Sequence, residues 1–104
     1  PTAAALRARF GYAFETPPGS DYPPILDLNV LDGPVTVAGP GGPLTFRPFA
    51  VEHGTIPALG FRCGDMAYLP DVSAIPEEAW PLLDGLSLWV VDALRYRPHP
   101  SHAH

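Results

Sequence analysis

The stretch Ala58–Trp80, "ALGFRCGDMAYLPDVSAIPEEAW", decides how this chain folds. Apolar and aromatic residues gather on both sides of Gly64-Asp65, a pair that reads as the turn of a hairpin between two short antiparallel strands, "ALGFRCG" and "MAYLP". The second run stops at Pro70 and a single carboxylate, Asp71, follows. Beyond it, "SAIPEEAWPLLDG" has Pro76 where a first helical turn accepts proline, and Glu77 and Glu78 where the N-terminal dipole favours acids. Pro81 interrupts this helix and Gly85 ends it. Asp71 therefore stands between a strand end and a helix start, the place where open α/β structures put ligand chemistry. An aspartate there can equally accept hydrogen bonds from free backbone N–H groups, and position alone leaves both roles open.

Outward from this stretch, "LSLWVVDAL" is a further strand, and "LTFRPFAVEH", Leu44–His53, is another, in which Pro48 implies an edge or a bulge. "GPGG", Gly39–Gly42, turns the chain after the short strand "PVTVA". "ILDLNVL", Ile25–Leu31, has a partial period of two and is expected as a strand with one wet face. Glu15–Pro24 packs four prolines and a glycine into an irregular loop, and before it Thr2 is expected to cap a short helix that Gly11 ends. Helix, strands, helix and strand in this order predict an α/β or α+β layer with a predominantly antiparallel sheet.

Composition narrows the function classes. The chain has 104 residues, 46% of them hydrophobic, enough for the core of one small soluble domain. Fifteen prolines and ten glycines predict short elements and many turns. The net charge of −5, with arginines and no lysine, leaves no basic stripe and argues against duplex nucleic acid as a partner. No apolar run approaches the roughly 20 residues a bilayer span needs, so no membrane role is expected. The lone Cys63 cannot close an internal disulfide, which fits a cytoplasmic setting, and it reads as a buried strand residue. The chain starts at Pro1 and ends on "HPSHAH", as a segment of something longer would; residues 1–104 are expected to form one partial domain.

The groups able to carry chemistry are Asp71, His53, Asp92 and the cluster His99, His102 and His104. Nothing resembles a Walker loop, a dinucleotide fingerprint or a serine-hydrolase elbow. The three closely spaced imidazoles suit Zn²⁺ or Ni²⁺, or else form a solvated tail. His53 leaves a strand end toward a turn, where a backbone carbonyl is its ordinary partner. Asp92 ends "LWVVD", and an ion pair with Arg95 or Arg97 is its ordinary use.

Taken in order, His53-Gly54, "GFR", "YLPDVS" and "DALR" resemble the central and later part of metallo-β-lactamase-fold hydrolases. The similar branch is the phosphodiesterase group related to the cyclic phosphodiesterase of phosphonate breakdown and to tRNase Z. The resemblance implies a segment of an αββα sandwich, α/β in class, with mostly antiparallel strands and short helices. It implies that Asp71 bridges two divalent metal ions, zinc or manganese, in the intact parent, with Ser73 orienting the carboxylate. Pro70 departs from the small polar residue that the family places before this aspartate. His102 matches a proton donor or phosphate contact, and His53 matches a position beside the site outside the standard ligands. The family's His-x-His-x-Asp-His motif does not occur in these residues, so the segment alone is expected to bind no metal tightly. A small phosphodiester or cyclic phosphate is the implied substrate, self-association through uncovered apolar surface is expected, and His99 and His104 are expected in a surface loop. The alternative is a non-catalytic binding or assembly module that kept the sheet without the metal centre.

Overall fold

A computed structural model describes residues 1–103, so the expectation for His104 lies outside the described residues. The chain divides into two compact units, Pro1–Asp32 and Gly33–His104. In the first, helix α1 (Thr2–Phe14) runs further than the sequence suggests. Thr2 is already helical, Pro1 stands at the cap without a side-chain bond, and the break falls at Phe10, whose φ of −130° and ψ of 31° leave the helical region. Gly11 therefore lies inside the helix, and its carbonyl accepts the Glu15 N–H at 3.0 Å. The strand expected over Ile25–Leu31 does not form. A strand needs a partner ladder, and here the N–H groups of Ile25 and Leu26 instead both donate to the Ala13 carbonyl, at 3.0 and 2.9 Å.

The second unit is a five-stranded sheet in chain order: β1 (Val35–Val37), β2 (Leu44–His53), β3 (Ile56–Cys63), β4 (Met66–Leu69) and β5 (Leu88–Val91). The first three pairings are antiparallel and β4 pairs with β5 in parallel. The expected hairpin at Gly64-Asp65 is present, with Cys63 opposite Met66 and Gly64 at a φ of +58°. Parallel pairing needs a crossover, and the connection from β4 to β5 supplies it through a 3-10 helix, Glu77–Leu83. Pro76 caps this helix and Pro81 lies within it. A short, tighter 3-10 ladder is compatible with a segment that proline interrupts. Pro48 sits beyond the three residues of β2 that pair with β1, so that side of it is an open edge, and the register with β3 passes through it unbroken.

The core of this unit is small: Phe49 and Val51 from β2, Ala67 and Leu69 from β4, then Val72, Ala79 and Leu83. Alternate residues of β2 and β4 supply it, as a sheet with one covered face requires. Gly60 faces Phe49 across the ladder, and a Cβ at Gly60 would stand 2.7 Å from the Phe49 ring. Cys63 is only half-buried, because it closes β3 at the turn. Arg62 ties the hairpin to the end of the 3-10 helix: Nε donates to the Gly64 carbonyl at 2.9 Å, and one terminal nitrogen donates to the carbonyls of Leu82 and Asp84 at 2.8 and 2.6 Å. These are carbonyls that a helix end leaves without partners.

Asp65 secures the start of β5, since its carboxylate accepts the Ser87 hydroxyl at 2.6 Å and its carbonyl accepts the Ser87 N–H at 2.7 Å. The Ser87 hydroxyl, its own backbone N–H and then Arg62 hold the Asp65 carboxyl below the ordinary aspartate value. A carboxyl depressed in the folded state contributes stability above its unfolded pKa and loses it as pH falls through the folded value. Ser87→Ala should therefore raise the Asp65 pKa toward the ordinary value in an NMR titration of the side-chain carboxyl. An unmoved titration curve would mean that the hydroxyl is not the main cause.

Candidate active site

Strand direction brings the chemistry together. β2 and β4 are each antiparallel to β3, and β4 is parallel to β5, so the carboxyl ends of β2, β4 and β5 share one edge of the sheet. His53 is the last residue of β2, Asp71 follows β4 by two residues, and Asp92 follows β5 directly. The backbone locks them in place: the Asp92 N–H donates to the Leu69 carbonyl at 2.9 Å. The segment after β5 then returns to the same edge, where the Ala103 N–H donates to the Val72 carbonyl at 2.6 Å and the Ala103 carbonyl accepts the Leu94 N–H at 3.0 Å. This seats His102 beside Asp71.

His53, Asp71 and His102 each offer a donor atom, and the three donors lie within 4.8 Å of one another. The sequence reading set His53 outside the ligand set, whereas the structure places its ring among the donors and edge-on to the His102 ring, with centroids 4.5 Å apart. The expectation of a backbone carbonyl partner is not met at His53 Nδ1, which is buried without a hydrogen-bond partner among the described residues. Such an atom is costly unless something binds it. Two imidazoles and a carboxylate are donors suited to zinc or manganese, so these side chains fit a divalent cation.

Asp92 is bonded to His102 Nδ1 through Oδ2, not to an arginine. Arg95 turns away and spends its guanidinium on the carbonyls of Arg97 and Pro98, at 3.2 and 2.6 Å. An ionised carboxylate on Nδ1 favours the proton there, which leaves Nε2 as the ring nitrogen outside that bond. Ser73 also differs from expectation. Its hydroxyl accepts the Gly54 N–H at 3.0 Å and donates to the Glu52 carbonyl at 3.2 Å, so it braces the residues on either side of His53 rather than Asp71. The cause is the bridge between Glu52 and Ala74, which draws the chain after Asp71 onto the end of β2.

His99 is not a free loop residue. It is half-buried, its ring lies 5.1 Å from that of His102, and its Nδ1 accepts the N–H groups of Ser101 and His102 at 3.2 and 3.3 Å. Partial burial first, then Arg95 and His102, push its pKa down, which favours the neutral ring whose lone pair those amides need. Asp92 is among the groups the sequence marks as able to carry chemistry, with an arginine pair as its ordinary use, and its actual partner is the harder part to find. Its position at a strand terminus was visible, but its partner comes from a segment with no regular structure.

Gly54 forms the tip of the β2–β3 hairpin at a φ of +64°. A Cβ there would stand 3.1 Å from the Pro100 carbonyl oxygen and from Ser101 Cβ. Gly54→Ala is expected to cost about 1–2 kcal/mol for the left-handed backbone alone, and to displace the segment carrying His102. Amide shifts at Ser101 and His102 that match the wild type would show that the segment tolerates the methyl group.

The carboxyl-end edge of the sheet thus gathers two histidines and an aspartate, a donor set that could hold a divalent cation. The sequence profile of the Beta-lactamase superfamily domain matches residues 1–104, and the chain belongs to that superfamily. Among solved structures, a diphosphatase of the PhnP family is similar, with a TM-score of 0.75 and 32% identity over 98% of this chain and 35% of that one. Among curated proteins, the octanoyltransferase of Porphyromonas gingivalis (strain ATCC BAA-308 / W83) is 38% identical over 103 residues, which cover 94% of this chain and 20% of that protein. The chain thus spans about a fifth of the curated relative and about a third of the solved one. Among the described residues, no helix is long and apolar enough to cross a membrane.

Proposed function

We propose that this chain is a segment of a di-metal hydrolase that cleaves a small phosphodiester or cyclic phosphate. The observation that carries the reading is the cluster of His53, Asp71 and His102 donors, with His53 Nδ1 buried and unpartnered. Likeness to a diphosphatase, a protein named for cleaving a phosphorus–oxygen bond, supports the phosphoryl side of the reading. The acyl-transfer name of the curated relative weighs less, because most of that protein lies outside the match.

Asp71 and His53 would hold zinc or manganese, with the other ligands coming from the rest of the parent, so this chain alone should bind metal weakly. Such ions supply Lewis acidity: they activate water at neutral pH and offset charge on the phosphoryl oxygens. His102 then serves the leaving oxygen, donating a proton from Nε2 while Asp92 holds Nδ1 and stabilises the charged ring. Ser73 keeps the end of β2, and with it His53, in register with the Asp71 segment.

The test is Asp71→Ala in the parent enzyme, with metal content read by elemental analysis and turnover read on a phosphodiester. Loss of both is expected. Full metal content and full turnover in the variant would overturn the reading.

A further inference from the structure

We propose that His99 is a positioning residue whose Nδ1 holds the turn that presents His102 to the site; this rests on the role given to His102 above. His102 sits on no strand or helix, so its placement has to come from individual contacts. Asp92 fixes the ring from Nδ1, and the Ala103 backbone bonds fix the residue that follows. On the preceding side the contact is His99. Pro100 has no N–H, so the next two amides along the chain, those of Ser101 and His102, are the first that a turn can use, and both converge on His99 Nδ1.

Asparagine and aspartate side chains do this work in ordinary turns by accepting backbone amides a few residues ahead. Histidine brings the same acceptor position, one bond beyond Cγ, together with a ring. That ring packs against His102 at 64° between planes. One side chain thereby sets the backbone of His102 and touches its imidazole.

The geometry gives a sharp substitution series, because Asn places Oδ1 where His places Nδ1, Ala removes the acceptor, and Gln moves it one bond too far. In the zinc-loaded parent enzyme, the proton on His102 Nδ1 should give a downfield ring signal protected by Asp92. The signal should persist in His99→Asn and be broadened or lost in His99→Ala and His99→Gln. Turnover of a phosphodiester with an alkoxide leaving group should fall roughly 10- to 100-fold in His99→Ala, the usual scale for losing a residue that orients a site group. Most of it should return in His99→Asn, with metal content constant throughout. A wild-type ring signal in both His99→Ala and His99→Gln, or an Asn variant as impaired as the Ala variant, overturns the proposal. If the wild-type enzyme cleaves no phosphodiester, the functional reading falls by itself, and the ring signal still decides the part played by His99.

Discussion

His102→Ala should lower turnover of a phosphodiester with a poor leaving group by about 10² to 10⁴, the range that a positioned general acid contributes. The same change should cost far less with a nitrophenyl leaving group, which departs as a stable anion and needs little protonation. Metal content should hold, because His53 and Asp71 keep their places: His53 is anchored as the last residue of β2, and Asp71 follows β4. His102 also lies within donor distance of those two groups, so the substitution separates two roles that geometry alone allows. Metal stripped from the variant would make His102 a ligand, and unchanged rates on both substrates would remove it from the chemistry.

The sheet was legible wherever a local signal matched a long-range partner. Gly64-Asp65 between apolar runs gave the β3–β4 hairpin, and "LSLWVVDAL" gave β5, because each carries its own turn or its own continuous apolar face. Ile25–Leu31 carries a similar pattern and still forms no strand, since periodicity cannot report whether a neighbouring ladder exists. The helix over Glu77–Leu83 was legible as a helix, and the two prolines explain why it winds tightly.

For the site, Asp71 stood out because a strand end followed by a helix start is itself a sequence signal. His53 was visible at a strand end too, but its role depended on strand direction: only the antiparallel pairs through β3 bring the end of β2 to the edge that carries Asp71. The bond between Asp92 and His102 and the turn held by His99 had no such signal. Both depend on an irregular segment seated by two backbone bonds at Ala103, and composition gives no account of where such a segment settles.

Leu69→Ala should cost about 2–5 kcal/mol of stability, the range for truncating a buried leucine where the surroundings collapse only in part. Leu69 has 0% exposure, and among the described residues the core cluster holds seven buried residues, Leu69 included, with a few partly buried neighbours, so little material is available to refill the space. Net stabilities of about 5–15 kcal/mol make such a loss a large fraction of the total. Urea midpoints measure it, and a loss under about 1 kcal/mol would show that Phe49 and its neighbours relax into the cavity. Gly60→Ala probes the same packing from the opposite direction, since the new methyl would meet Phe49 ring atoms at 2.7 Å and Leu69 Cγ at 3.2 Å. Overpacking of this kind costs about 1–3 kcal/mol. Phe49→Leu withdraws the ring atoms that the methyl strikes, so the double variant should be more stable than the sum of the two single losses allows. Strict additivity would mean that the Gly60 methyl is accommodated by backbone movement. The shift would then run along β3 into β4, whose Leu69 carbonyl holds Asp92, and the His102 ring would move with it.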